Sequence, residues 1–326
     1  MPPTLRAALL IVATLAACTP AARAPFRHEI AGTAVPWTHT NFDTASGQFT
    51  FAITTDLTGG ERPGVFSTAV AQLAILRPEL VMSVGDLIDG PTPVDSAITR
   101  EWDDFDARAR AMPAPFFRVG GNHDLTGTEL RNVWSRRYGP TYYSFVYKNA
   151  LFLILDTEDL TPDRARAIFE ARNEALLAQR EGRSSQGLAY YSMPERAFGD
   201  IGAEQAAYAQ RVLAEHRDVR WTFVFFHKPI WRNPNDPDFQ AVEAALADRP
   251  YTVFSGHLHS LNRELRKGRE YFTLGTTGGA QNPNDPMALD HITLVKMTTT
   301  GPSIAHLRLE GILGPDGKVP TEGTPK

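Results

Sequence analysis

The chain has one cysteine, Cys18, in 326 residues. No internal disulfide can form, so the fold must rest on its core. No block of Lys or Arg stands out and the formal net charge is −4, which gives no support to a surface for nucleic-acid polymers. The N-terminal apolar run is well short of the ~20 residues that a membrane-spanning helix needs. What the chain does have is apolar material, 42% of its residues, enough for one large domain or two small ones.

Arg6 precedes a short apolar stretch, Ala7 to Leu15, followed by Ala16-Ala17-Cys18. The order of charge, short apolar core and small residues reads as an export signal. Leu15-Ala16-Ala17-Cys18 resembles the bacterial lipobox, where cleavage leaves a lipidated cysteine as the mature N-terminus. This predicts a signal peptide over 1–17 and a membrane anchor on Cys18. The expected location is the bacterial cell envelope, at the periplasm-facing outer membrane in a Gram-negative cell. An ordinary signal peptide cut after Ala24 is the alternative. Residues 18–47, rich in Ala, Pro, Thr and Arg, lack periodicity and predict a tether.

From Phe49 onward, strand-like runs alternate with helical patterns. Strands are expected at Phe49–Thr54, Leu80–Val84, Phe116–Val119, Trp221–Phe226, Tyr251–Phe254, Tyr271–Leu274, Ile292–Met297 and Ile304–Leu309. Helices are expected over 65–76, 161–180 and 203–216. Tyr142–Tyr147 and Leu151–Leu155 flank Lys148-Asn149 and predict a hairpin. Residues 182–200 read as a loop or insertion, and 311–326 as a polar tail. Asn-Pro-Asn-Asp-Pro occurs at 233–237 and again at 282–286; both copies suit turns better than a pocket rim.

Four polar strings each follow a strand-like run: Gly85-Asp86-Leu87-Ile88-Asp89, Gly120-Gly121-Asn122-His123-Asp124, Phe226-His227-Lys228-Pro229 and Gly256-His257-Leu258-His259. In open α/β sheets, ligand groups gather beyond the carboxyl ends of the strands. Asp56, Asp86, Asn122, His227, His257 and His259 all stand at such ends. A carboxylate can bridge two cations, and neutral imidazoles with an amide oxygen complete a shell without excess negative charge. Two cations about 3.5–4 Å apart can stabilise both ends of an in-line displacement.

These strings, in this order and spacing, resemble the calcineurin-like metallophosphoesterases over roughly residues 48–310. The resemblance implies a four-layer α/β/β/α sandwich with two mixed β-sheets. It implies hydrolysis of a small phosphoester, mono- or diester, with two divalent ions (Mn, Fe, Zn or Mg). One ion would use Asp56, Asp86 and His259, the other Asp86, Asn122, His227 and His257. A hydroxide held between them would attack phosphorus. His123 would stabilise the phosphoryl group or protonate the leaving oxygen, with Asp124 orienting its ring.

One block departs from the family. Asp-x-His is usual after the first strand, whereas this chain has Asp56-Leu57-Thr58-Gly59-Gly60. Thr58 would replace an imidazole and hold a water beside the first metal. Asp89 stands where purple acid phosphatases carry a tyrosinate. The departure motivates a second reading, a catalytically weakened envelope lipoprotein that binds a metal or ligand; a nucleotidase is a third. Outside the motifs, His28, His39 and His216 are expected in solvent, and His291 and His306 in structural roles. Trp231 and Phe239 suit packing, and Arg136-Arg137 a solvated helix face.

Overall fold

The computed structural model describes residues 25–42, 48–234 and 236–320. The signal, the lipobox and Cys18 lie outside the described residues. Strands run β1 (Phe26–His28), β2 (Phe49–Ile53), β3 (Leu80–Met82), β4 (Phe116–Phe117), β5 (Tyr143–Tyr147), β6 (Ala150–Ile154), β7 (Trp221–Phe225), β8 (Tyr251–Ser255), β9 (Asn262–Arg266), β10 (Arg269–Thr273), β11 (His291–Met297) and β12 (Pro302–Arg308). Helices are α1 (Val65–Leu76), α2 (Asp95–Arg110), α3 (Asn122–Leu125), α4 (Thr128–Tyr138), α5 (Pro162–Arg180), α6 (Pro194–Phe198), α7 (Ala203–Glu215) and α8 (Pro237–Leu246).

One sheet has the order β1-β5-β6-β7-β8-β10-β9 and the other β12-β11-β2-β3-β4. Both are mixed. β2, β3 and β4 run parallel, while β11 is antiparallel to β2 and to β12. β6, β7, β8 and β10 run parallel, with antiparallel partners at both edges.

Alternation along the strands gives each sheet two apolar faces. On β2, Phe51 and Ile53 enter a layer between the sheets, whereas Ala52 meets the helices outside. On β6, Phe152 and Ile154 face that central layer, and Leu151 and Leu153 face away from it. Burial on both faces is why these strands read as unbroken apolar runs. The central layer is aromatic: Phe145 stacks on Phe152 at 4.6 Å, and Phe51 meets Phe223 edge-on at 4.9 Å. Side chains of α1, α2 and α4, among them Phe66, Trp102 and Trp134, cover the outside of the five-stranded sheet. Those of α7 and α8 cover the seven-stranded one through Val212, Leu213, Val242 and Leu246. The four-layer α/β/β/α order follows.

The hairpin forms as β5–β6, with Lys148 and Asn149 at φ 42° and 62°, the left-handed pair that a tight two-residue turn needs. The structure adds α2, whose Ile98, Trp102, Phe105 and Ala109 share a buried face. It also adds the charged edge strand β9.

The tether expectation needs correction for residues 25–42. β1 pairs with β5, Phe26 opposite Tyr147, and Trp37 bridges to Phe117. Phe26, Ile30, Val35 and Phe42 pack on the central layer. Their spacing follows neither a strand nor a helix period, so the pattern gives no hint of it. The tail also begins later than residue 311: Ile312 packs on the helical core, and its carbonyl accepts from Gln72 Nε2 at 3.2 Å.

Candidate metal centre

The loops after β2, β3, β4, β7 and β8 converge where the parallel strands of both sheets end. Gly85 sits at φ +102°, and a Cβ there would lie 2.6 Å from His227 Nδ1. A Cβ on Gly256 would lie 2.2 Å from the Asp56 carboxylate. Glycine is therefore required at both positions for the loops to close on each other. Asp86, His257 and His259 themselves adopt left-handed backbone, at φ 56°, 72° and 54°. Such conformations strain a residue with a side chain and persist where surrounding structure enforces them.

Asp86 is the centre of the cluster. Its Oδ1 accepts from His123 N at 2.9 Å, and its Oδ2 lies 3.2 Å from His227 Nε2. Asp56 Oδ1 accepts from His257 N at 2.8 Å and lies 3.3 Å from His259 Nε2. Asp56 Oδ2 accepts from Thr55 Oγ1 at 2.7 Å. Ligand atoms converge in two sets, Asp86–His227–His257 and Asp56–Asp86–His259, each within 4.8 Å. Asp86 belongs to both. Asn122 Oδ1 stands 3.1 Å from His227 Nε2 and so adjoins the first set.

Backbone carbonyls select one nitrogen on each ring. His227 Nδ1 donates to Val84 O at 2.8 Å, and His259 Nδ1 to Ala280 O at 2.5 Å. His257 Nε2 donates to Arg196 O at 2.7 Å. The second nitrogen of each ring is left facing the carboxylates, as in metal sites where a carbonyl sets the tautomer. His227 Nε2 thus meets two other electron-pair donors, Asn122 Oδ1 and Asp86 Oδ2. The ring nitrogen and each oxygen repel one another unless a proton or a cation lies between them, and this donor set fits divalent metal.

The electrostatics agree. Burial works against charge on Asp86, but the charge and hydrogen bond of His227, with the His123 backbone N–H, outweigh it and hold the carboxyl well below its usual range. Burial likewise opposes protonation of His227, yet the Asp86 charge pushes the ring up to about 9. His259 also reaches about 9, burial again opposing and the Asp56 hydrogen bond and charge prevailing. In the metal-free chain these two rings supply the positive charge that the buried carboxylates require. His257 is pushed down, first by burial and then by the His227 charge.

Thr58 and Asp124 differ from expectation. The Thr58 hydroxyl donates to the Asp89 carboxylate, so its proton is committed to a side chain rather than to a water. Asp124 does not touch the His123 ring among the described contacts. Its carboxylate accepts from Gly121 N at 2.8 Å, Leu87 N at 2.9 Å and Ile88 N at 3.2 Å, stapling the Asp86 loop to the Asn122 loop. Burial, then the Asp86 charge, pushes its carboxyl up to about 8 against the pull of those amides. The His123 ring is set by Asp89, whose carbonyl accepts from Nδ1 at 2.6 Å. His123 Nε2 then accepts from Arg172 Nη2 at 2.9 Å. Burial, with the Arg172 charge assisting, lowers the pKa of this ring.

Arg172 is therefore a site residue that the sequence does not single out, and Asp89, noted there for its place in the Gly85–Asp89 string, has a role that the string does not reveal. For Arg172 a signal exists: it falls in the buried stripe Ile168, Ala171, Ala175, Ala178 of α5, an arginine where helical spacing calls for an apolar residue.

Other candidates stand apart from the centre. Trp231 and Phe239 lie in the apolar layer with Phe226, and Trp231 Nε1 donates to Glu264. Arg136 pairs with Asp95, and Arg137 with Asp103 and Asp106. His291 Nε2 accepts from Gly275 N at 2.9 Å; it supports the strand end whose Gly275 carbonyl accepts from Thr55, beside Asp56. His306 bonds Thr293. Asp236 caps α8 through Phe239 N, and Asn282 and Asp285 close local turns, so both Asn-Pro-Asn-Asp-Pro copies do turn and cap chemistry.

Comparison with known proteins adds three findings. A family model described as calcineurin-like phosphoesterase matches residues 49–261. A dimetal phosphatase from Danio rerio is similar in structure, with TM-score 0.54 and 18% identity over 80% of this chain and 98% of that one. The PhoD structure aligns with TM-score 0.50 and 14% identity over 86% of this chain and 70% of that one. No curated protein matches the chain.

Proposed function

The chain belongs to the calcineurin-like phosphoesterases and is a phosphoric ester hydrolase, and from that premise we propose that it cleaves a phosphomonoester or phosphodiester with two divalent metal ions. Asp56, Asp86 and His259 would hold one ion, and Asp86, Asn122, His227 and His257 the other. The observation that carries this reading is the sharing of Asp86 by both donor sets. When bound, the ions supply Lewis-acid stabilisation of the phosphoryl oxygens and an acidified water. Mn, Fe, Zn and Mg all suit this mixed N,O donor set.

The protein's own groups do the rest. Asp124 keeps the Asp86 and Asn122 loops in register. Asp89 holds the His123 ring through Nδ1, so that Nε2 faces the cluster. With Nε2 accepting from Arg172, His123 is neutral at rest; it stabilises the phosphoryl group or donates to the leaving oxygen only after Arg172 releases it and the ring gains a proton.

The proposal extends to location. An exported chain anchored by lipid on Cys18 accounts for the N-terminal sequence. Among the described residues no helix is long and apolar enough to cross a membrane. The mass of the mature N-terminus checks the anchor.

The functional test is metal content per chain together with hydrolysis of a chromogenic phosphomonoester and a phosphodiester. Wild type runs beside His123→Ala and Asp86→Asn. Metal-dependent turnover that both substitutions abolish is expected. Tight metal binding with neither ester hydrolysed would favour the binding-protein alternative.

A further inference from the structure

A cavity of about 420 Å³ opens beside the metal centre, lined by Arg172, Tyr190, Tyr191, Arg196, His257 and Leu258. Most of its wall comes from α5 and from the stretch 189–198. Arg172 is 5% exposed. Its guanidinium bonds His123 through Nη2, and among the described residues its buried Nη1 has no partner. A buried donor without a partner is costly, and more so when charged. A guanidinium is always charged and presents a planar fork that matches phosphate oxygens. Nη1 is closed to solvent as the side chain stands, so an anion entering this space would reach it by drawing the guanidinium out of its contact with His123.

The rest of the lining has a different chemistry. The Arg196 guanidinium lies 5.0 Å from the Tyr191 ring and 5.6 Å from the Tyr190 ring. Tyr191 and Leu258 are exposed at 44% and 40%. Aromatic faces and a guanidinium plane together suit a flat ring. The wall is also bonded to the metal centre, since His257 donates to the Arg196 carbonyl.

We propose that Arg172 grips the phosphoryl group of the substrate, and that the cavity receives a leaving group bearing a planar ring, of nucleoside size. The inference deepens the hydrolase reading and rests on it. Arg172 keeps its charge throughout and exchanges no proton. Hydrolysis then breaks the bond between phosphorus and the ring-bearing alcohol, a water oxygen joins phosphorus, and the alcohol oxygen takes the proton.

The test uses binding, so it needs no turnover. Inorganic phosphate is titrated calorimetrically into the Mn²⁺-loaded protein, for the parent, Arg172→Gln and Arg172→Lys, with metal content measured alongside. The expected result is phosphate binding about 10- to 100-fold weaker in R172Q, and several-fold weaker in R172K, at unchanged metal content. Lysine retains the charge without the fork, so R172K carries the comparison if R172Q does not fold. Phosphate affinity equal to the parent's in a folded variant overturns the grip. For the cavity, saturation-transfer NMR compares adenosine with ribose. Adenosine contact that Tyr190→Ala and Tyr191→Ala abolish supports the ring site, while equal signals from adenosine and ribose overturn it. A parent that binds phosphate and adenosine but hydrolyses no ester would defeat the hydrolase reading and leave these binding results standing.

Discussion

At the floor of the site, donor side chains arrive from five separate loops, and almost every one is fixed by a backbone hydrogen bond: Asp56 by His257 N, Asp86 by His123 N, and the three candidate-ligand histidines by carbonyls. At the roof, Arg172, Tyr190, Tyr191 and Arg196 come from one continuous stretch, and side chains tie it down: Arg164 to Glu195, and Lys228 to the Glu195 carbonyl and to Glu158. The floor needs atoms placed to tenths of an ångström for coordination. The roof needs a shape and a charge. The first demand restricts residue type at each position far more than the second.

The comparison is broken most severely by Asp86→Asn. An amide cannot bridge two cations as a carboxylate does, and it leaves His227 without its counter-charge. Loss of a supporting partner costs metal affinity about 10–100-fold; losing the shared ligand is expected to cost more and to empty both sites together. Metal titration of the variant reads this directly, and loss of one ion alone would refute the sharing.

Proton competition is the next largest effect. His227 and His259 are held up to about 9, and both must be neutral to bind metal. Metal affinity is therefore expected to rise with pH up to about 9, by up to about tenfold per unit for each proton displaced. Calorimetry in buffers of different ionisation enthalpy counts those protons. The sign reverses for the metal-free fold. A histidine raised above its unfolded value of 6.5 contributes stability that is fully present below 6.5 and is lost as pH rises through about 9. Thermal unfolding of metal-free protein should thus fall in midpoint between these limits, while the loaded protein holds steady.

How much of this was legible follows from the same contrast. The layered fold showed in strands buried on both faces, whose apolar runs need no partner to be recognised. The convergence of the floor showed because loop closure forces glycine at Gly85 and Gly256, beside the Asp and His that the strings carry. Segment 25–42 did not show, since Phe26, Ile30, Val35 and Phe42 fill gaps in an existing core without a period of their own. Arg172 was hidden among the other arginines of α5, where only the burial of its neighbours sets it apart. The role of Asp89 was hidden, though its position was noted, because half its work is done by its carbonyl, which any residue carries. For Asp124 the family resemblance implied a partner for the His123 ring, whereas the helical turn of α3 aims its carboxylate back at three amides.

Thr58→Ala sharpens the comparison within the floor. It removes the hydroxyl that holds the Asp89 carboxylate, and Asp89 in turn orients His123. Metal content is expected to hold, because neither Asp89 nor His123 belongs to either donor set, while turnover falls by about tenfold as His123 loses its alignment, well short of the loss in D86N. Equal losses of metal from the two substitutions would show that Asp86 is not the shared ligand.

The smallest effect belongs to the roof. Arg164→Ala removes the two-pronged bridge to Glu195, at 2.5 and 2.7 Å, between α5 and α6. Arg164 is 38% exposed on its side chain, so the pair contributes no more than about 1 kcal/mol to stability. Metal content should not change, because no ligand touches the bridge. What should change is the position of α6, and with it the Arg196 carbonyl that holds His257 and the Arg196 plane that lies over the tyrosines. A modest rise in KM, a few-fold at most, with metal stoichiometry intact would show that the roof shapes substrate binding independently of the floor. A loss of metal from this variant would instead show that the His257–Arg196 bond makes roof and floor one unit.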